Sequence, residues 1–214
     1  MFGKSIASIA HALYYLSVTG LNKGPHVTRY YMYEHLSKFS EYRSKDFKVL
    51  SISHSEELAR ILGFSDQQIT DVAYPEFNIF SLPFSVGEFD AVVSDQVLEH
   101  VEGDPQLAID ETFRVIKQGG IALHTTCFIN PIHGAPKDYW RFTPEALRLL
   151  ASKQSEVIDV GGWGNMDAVF FADRLGLRFA PIPHARWHPA HWIATRNVDT
   201  WPIVTWVLAR KKKT

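Results

Sequence analysis

Between Ser5 and Leu21, Ile6, Ile9, Ala10, Leu13 and Leu16 recur at three- and four-residue spacing, which predicts an amphipathic helix covering a core. The run Gly20-Leu21-Asn22-Lys23-Gly24-Pro25 breaks it, and a second helix is predicted over Thr28–Phe39, carrying Arg29, Tyr30, Tyr31 and Tyr33. From Phe47 onward the pattern changes. Short apolar, β-branched runs at Phe47–Ile52, Ile69–Ala73, Phe89–Ser94, Ile121–Thr126, Glu156–Val160 and Pro202–Ala209 predict strands. Helices are predicted between them at Ser55–Gly63, Pro105–Lys117 and Pro144–Ala151, with Ser55 as an N-cap and Gly119-Gly120 ending the middle one. Strands alternating with helices imply an α/β sandwich, a mainly parallel sheet with helices on both faces.

The chain has 214 residues, enough for one medium domain, and its 46% hydrophobic content excludes a disordered chain. Its 22 Lys and Arg against 23 Asp and Glu create no global basic field, so nucleic acid is not the expected partner. A single cysteine, Cys127, excludes an internal disulfide framework and any multi-cysteine zinc site. That usage points to a reducing, cytoplasmic compartment. The Ser5–Leu21 segment is interrupted by Ser8, His11, Ser17 and Thr19 and falls short of the roughly 20 apolar residues that span a bilayer. No stable membrane insertion is expected, and no small-residue cleavage site follows to make it a secretory signal.

One stretch carries a signature. It runs Asn78-Ile79-Phe80-Ser81-Leu82-Pro83-Phe84, then Phe89-Asp90-Ala91-Val92-Val93, then Val97-Leu98-Glu99-His100-Val101, then Arg114-Val115-Ile116-Lys117-Gln118-Gly119-Gly120. In order and spacing it resembles the class I S-adenosylmethionine-dependent methyltransferases, in particular their type 11-like subgroup. The resemblance covers about residues 47–160, and the run Asn130-Pro131-Ile132-His133-Gly134-Ala135-Pro136-Lys137-Asp138-Tyr139-Trp140-Arg141-Phe142-Thr143 looks like part of the same subgroup. It implies a Rossmann-like three-layer sandwich, mainly parallel with an antiparallel C-terminal strand, in which 1–46 form a helical cap and 47–214 the methyltransferase-like domain. It also implies S-adenosylmethionine as cofactor.

In an open parallel sheet, ligands bind outside the carboxyl ends of the strands. The first strand of that domain ends at Ser51-Ile52-Ser53-His54, and the strand Phe89–Ser94 ends at Asp95-Gln96, which places Ser51, Ser53, His54, Asp95 and Gln96 at the crevice. Asn78 followed by Ile79 suits a purine, with one amide for the ring edge and one aliphatic face for the ring. By resemblance Asn78 stands where the family reads the adenine amino group. The alternative is that Asn78 caps a turn before Leu82-Pro83.

Two family features are altered. The acidic residue followed by Gly-x-Gly is replaced by Ser51-Ile52-Ser53-His54-Ser55-Glu56-Glu57, without glycine. Either the hydroxyls and the following helix N-terminus cradle the cofactor, with Glu56 or Glu57 supplying the missing charge, or the domain is a catalytically silent scaffold. The acid that holds the ribose is best matched by Asp71, with Tyr74 or Glu76 behind it.

Methyl transfer to a hydroxyl needs a base for the departing proton, and His133, Asp138 and His100 are the candidates. Tyr139, Trp140 and Arg141 combine stacking surfaces with a cation and are expected on the substrate side. The alternative is an Asp138–Arg141 ion pair that anchors the loop. Residues 161–201 form a long connection rich in aromatics, including Trp163, Trp187, Trp192 and Trp201, read as a substrate lid. His184, His188 and His191 lie in it, but no metal is expected, because no carboxylate joins them and Pro189 interrupts the run. The reading is methyl transfer to a small-molecule or glycan-type acceptor at oxygen, with a silent methyltransferase-like binding module as the alternative. The absence of a Gly-x-Gly-x-x-Gly turn after any strand disfavours a nucleotide-binding oxidoreductase.

Overall fold

A computed structural model of the chain describes residues 2–42, 46–134 and 136–213; the side chain of Ile6 and the whole of Ala135, both used above, lie outside what it describes. The chain forms two compact units, Leu36–Gly162 with Val204–Thr214, and Met1–His35 with Trp163–Ile203.

The larger unit is built on a six-stranded sheet. Its strands are β2 (Val49–Ile52), β3 (Ile69–Val72), β4 (Phe89–Asp95), β5 (Ile116–Cys127), β6 (Ser155–Trp163) and β8 (Val204–Lys211), in the order β3-β2-β4-β5-β8-β6. β3, β2, β4 and β5 run parallel, and β8 pairs antiparallel with β5, as the family resemblance implies. Helices α3 (Glu56–Ile61), α4 (Pro105–Val115) and α5 (Pro144–Ser152) connect the strands. α4 starts where Asp104 accepts the Gln106 N–H at 2.9 Å and Pro105 sets the first turn. α5 starts in the same way, with Thr143 accepting the Ala146 N–H at 3.1 Å. Ile109 and Phe113 bring α4 onto Leu50, Val92 and Ala122 of the sheet, where both are buried. Such burial contributes about 2–3 kcal/mol for each large side chain.

The end of α4 differs from the sequence pattern. α4 stops at Val115, and Gly119-Gly120 lie inside β5 rather than after the helix. Ile116 leaves helical backbone and pairs with Phe89, and the next register pair is Ala91 with Ile121, so the extra residues form a bulge. Gly119 has φ +77°, and a Cβ on Gly120 would lie 2.5 Å from the Asp90 carbonyl oxygen, so the close approach of β4 requires a glycine there.

The smaller unit contains α1 (Phe2–Ser17), β1 (Lys23–His26) paired antiparallel with β7 (Pro181–Pro183), α2 (Val27–Leu36) up to His35, α6 (Met166–Val169) and α7 (Pro189–Thr195). Its histidines pack and hydrogen-bond. His184 Nδ1 lies 2.9 Å and His191 Nδ1 3.2 Å from the Tyr30 hydroxyl, and His188 caps α7 by accepting the Ala190 N–H at 3.2 Å. Pro189 therefore begins a helix instead of interrupting one.

Candidate active site

The carboxyl ends of β2, β3, β4 and β5 carry the residues singled out above. Among the described residues, those other than glycine with left-handed φ are Ser53 (57°), His54 (62°) and Gln96 (58°), which directly follow β2 and β4. The turn after β2 thus takes at Ser53 and His54 a backbone region that glycine adopts without penalty. For a side chain bearing a Cβ it costs about 1–2 kcal/mol per residue, and strain of this kind concentrates at functional sites.

Hydrogen bonds lock the turn. The Ser53 N–H donates to the Val72 carbonyl at 2.7 Å. Ser51 Oγ donates to Asp71 Oδ1 at 2.6 Å, the His54 N–H donates to the same oxygen at 3.2 Å, and His54 Nδ1 lies 3.0 Å from Asp71 Oδ2. Asp71 therefore sits at the crevice opposite the β2 turn, while the His54 side chain is 77% exposed. Ser55 precedes α3 without capping it through its side chain. Its hydroxyl donates instead to the Ile52 carbonyl at 2.5 Å and accepts the Asp95 N–H at 2.7 Å, tying the tip of β2 to that of β4.

On β4, Asp95 accepts from the Thr125 hydroxyl, and the Gln96 N–H donates to the Thr125 carbonyl at 3.0 Å. The Gln96 side-chain amide nitrogen is buried and finds no hydrogen-bond partner among the described residues. Asn78 accepts the Phe80 N–H on Oδ1 at 2.9 Å, the turn contact weighed as the alternative, and Ile79 packs at the edge of the core.

The loop after β5 is organised by two acids. Glu99 is fully buried; its carboxylate accepts from Thr126 Oγ1 at 2.8 Å, and its carbonyl accepts the Tyr139 and Trp140 N–H groups at 2.8 and 3.2 Å. Asp138, with a 2% exposed side chain, pairs with Arg141 Nη1 and, at 2.6 Å, with Nη2. The guanidinium hydrogen bond holds the Asp138 carboxyl well below the usual carboxylate range. Arg141 also donates to the Trp140 carbonyl at 2.7 Å, so the anchoring ion pair is present and most of this cation is committed to the loop.

His133 Nδ1 lies 3.1 Å from Asp138 Oδ2 and 3.2 Å from the Pro131 carbonyl oxygen, and the side chain is 38% exposed. Asn130 Nδ2 lies 3.0 Å from the same nitrogen. Nδ1 thus has two oxygen acceptors and one amide donor around it. The His100 ring stands edge-on to the His133 ring at 4.9 Å, with Nδ1 2.7 Å from the Lys137 carbonyl oxygen. Tyr139 and Trp140 are 40% and 39% exposed, and the Trp140 indole N–H donates to the Val101 carbonyl at 3.0 Å.

Trp163 is a different case. It is fully buried in the smaller unit, close to stacking on Tyr31 at 6.1 Å, with its indole N–H donating to the Arg196 carbonyl at 3.0 Å. No face of this ring is open to a ligand, so it packs and is not carried into the substrate surface proposed below.

Sequence reasoning missed Thr125, Thr126 and the double role of Ser55; the hydroxyl-bearing residues at the strand tips were the available signal. Among the described residues, two trios have potential ligand atoms within 4.8 Å of one another, Glu99-Cys127-His133 and His54-Glu56-Asp71. In the first, burial pushes the Cys127 thiol up to about 12. No helix among the described residues is long and apolar enough to cross a membrane.

Comparisons with known proteins bear on the fold. Residues 34–124 match the family model described as a methyltransferase domain. A comparison with curated proteins finds no match. Among solved structures, the chain is similar to the cyclase SpnF, at 17% identity and a TM-score of 0.53 over 86% of this chain and 80% of that one. It is similar to a SAM-dependent methyltransferase from Thermotoga maritima, at 13% identity and a TM-score of 0.52 over 87% and 92%. It is also similar to the YcgJ protein from Bacillus subtilis, at 15% identity and a TM-score of 0.53 over 85% and 98%. At such identities the structural likeness speaks for the fold alone. The order of the sheet and its antiparallel last strand give the chain the Rossmann-like class I methyltransferase fold, and residues 34–124 match the methyltransferase-domain model within it.

Proposed function

We propose that the chain binds S-adenosylmethionine at the carboxyl ends of β2, β3 and β4 and transfers its methyl group to a hydroxyl of a small-molecule or glycan-type acceptor. The observation that carries this reading is the left-handed backbone at Ser53 and His54, which preserves without glycine the turn the cofactor's amino-acid portion would approach. A scaffold released from ligand binding would have no need to maintain that strain.

The donors and acceptors present fit the group. Asp71 offers a carboxylate to the ribose hydroxyls, Asn78 and Ile79 an amide edge and an aliphatic face to the adenine, and Gln96 a buried, unsatisfied N–H donor. Ser51 and Asp95 support these residues, because each hydrogen-bonds across neighbouring strand tips. When bound, the cofactor supplies a methyl group on a sulfonium, an electrophile that needs orientation more than covalent help.

The protein's own part is to orient the acceptor and take its proton. His133 Nε2 is the base, and Asp138, kept ionised by Arg141, holds the Nδ1 proton and stabilises the imidazolium that forms. His100 limits the swing of the His133 ring. Tyr139 and Trp140 offer exposed aromatic faces for a sugar or another ring, and Arg141 contributes through the rigidity of the loop.

The test is transfer of a labelled methyl group from S-adenosylmethionine to a panel of glycan and hydroxylated small-molecule acceptors. His133→Ala is expected to lower turnover by about two orders of magnitude, the usual worth of a general base, with cofactor affinity unchanged. An unaltered rate in that variant removes His133 from the chemistry.

A further inference from the structure

The smaller unit has a feature that methyl transfer does not use. α1 (Phe2–Ser17) carries one charged residue, Lys4, and no acid. Its His11, Tyr14 and Ser17 face the unit: His11 Nε2 lies 2.6 Å from the Gly176 carbonyl oxygen, Tyr14 donates to the Pro181 carbonyl at 2.7 Å, and Ser17 Oγ lies 3.1 Å from His188 Nε2. The opposite stripe, Ile9, Leu13 and Leu16, is 57%, 62% and 72% exposed. Helical spacing puts these three on one line, so the helix buries Tyr14 against the unit and turns an aliphatic stripe outward.

Two large exposed aromatics adjoin, in sequence, residues that touch the helix. Phe170 and Trp187 are 56% and 73% exposed, and each is next in the chain to a residue whose ring touches Tyr14, Phe171 in one case and His188 in the other. Charge follows the same division. Residues 1–35 and 163–203 contain seven Lys and Arg against four Asp and Glu, whereas the rest of the chain contains fifteen against nineteen. Arg174 and Arg186, each two residues from a partner of α1, are exposed and have no acidic partner among the described residues. An apolar stripe accompanied by a tryptophan and unpaired cations is the composition that settles at the boundary between headgroups and acyl chains.

We propose that α1, Phe170 and Trp187 form a docking face for an anionic lipid surface. The helix lies in the plane of the interface, with Ile9, Leu13 and Leu16 at the acyl boundary and Arg174 and Arg186 at headgroup phosphates. The association is peripheral, since the helix is too short and too interrupted to span a bilayer.

Sedimentation of the full chain with vesicles tests this, comparing phosphatidylcholine alone with phosphatidylcholine containing phosphatidylserine. The expected result is binding to the anionic vesicles, weaker binding to the neutral ones, and loss of binding as salt is raised. Leu13→Glu is expected to weaken anionic-vesicle binding at least about tenfold, as removal of one buried aliphatic anchor does. Leu13 is exposed, so the circular dichroism spectrum stays unchanged. Trp187→Ala provides an independent second variant with an effect in the same direction. Failure to sediment with either vesicle, equal binding to both, or binding indifferent to Leu13→Glu overturns the proposal. So does a dimer in solution that Leu13→Glu converts to monomer, because a second copy would then be what covers the stripe.

Discussion

His54 Nδ1 lies 3.0 Å from Asp71 Oδ2, so the imidazole of a left-handed residue rests on the carboxylate proposed to hold the ribose. Both halves of that contact are testable through one substitution. His54→Gly removes the Cβ from a φ of 62° and the ring from Asp71. Relief of the backbone strain is expected to stabilise the chain by about 1 kcal/mol, raising Tm by roughly 2–4 °C in thermal denaturation. Freed of its neighbour, Asp71 should bind the cofactor product several-fold more tightly. A lower Tm would mean that the imidazole holds the turn together.

The loop after β5 has a different dependence. The Asp138 side chain is nearly fully buried and paired with Arg141, so Arg141→Ala leaves its charge with the His133 contacts alone. The expected cost is about 3 kcal/mol, read as a large fall in the denaturation midpoint. Asp138→Asn keeps the shape of the side chain, removes the charge, and is expected to cost less. A midpoint unmoved by Arg141→Ala would make this residue a free substrate contact and not the anchor of the loop.

A buried histidine between β4 and β5 makes the fold sensitive to acid. His124 is 1% exposed, with Nδ1 2.8 Å from Ser94 Oγ and Nε2 3.3 Å from Thr112 Oγ1, and burial lowers its pKa to about 4. Above pH 6.5 both folded and unfolded chains hold it neutral, and it adds no pH dependence. Between pH 6.5 and about 4 the unfolded chain takes up the proton first, so stability falls as pH falls, by up to about 3 kcal/mol. Denaturant titrations across that window should show this slope, and His124→Gln should flatten it. An equal slope in the variant would assign the acid sensitivity to other groups.

Much of the architecture was legible because period and punctuation agreed. Pro105 and Pro144 follow the capping residues Asp104 and Thr143 and open helices where the pattern places them. The apolar runs at Phe47–Ile52 and Phe89–Ser94 became the parallel strands β2 (Val49–Ile52) and β4 (Phe89–Asp95). Gly119-Gly120 misled because the same dipeptide that ends a helix also makes a bulge, and only the pairing of Ile116 with Phe89 decides between them. At the crevice, Asp71 hydrogen-bonds to Ser51 of β2, and no periodicity reveals that Ser53 and His54 adopt left-handed backbone. Trp163 was read as a stacking surface from its neighbours in the chain, yet the contact that buries it, Tyr31, is remote in sequence.

The central claim is that the glycine-free turn still forms a nucleoside site, and calorimetric titration of the full chain with S-adenosylhomocysteine tests it most directly. The account predicts one molecule bound per chain with a dissociation constant in the micromolar range. Asp71→Ala should weaken that binding at least about tenfold while the circular dichroism spectrum is retained. Absence of heat at millimolar ligand, or an affinity untouched by Asp71→Ala, would contradict it.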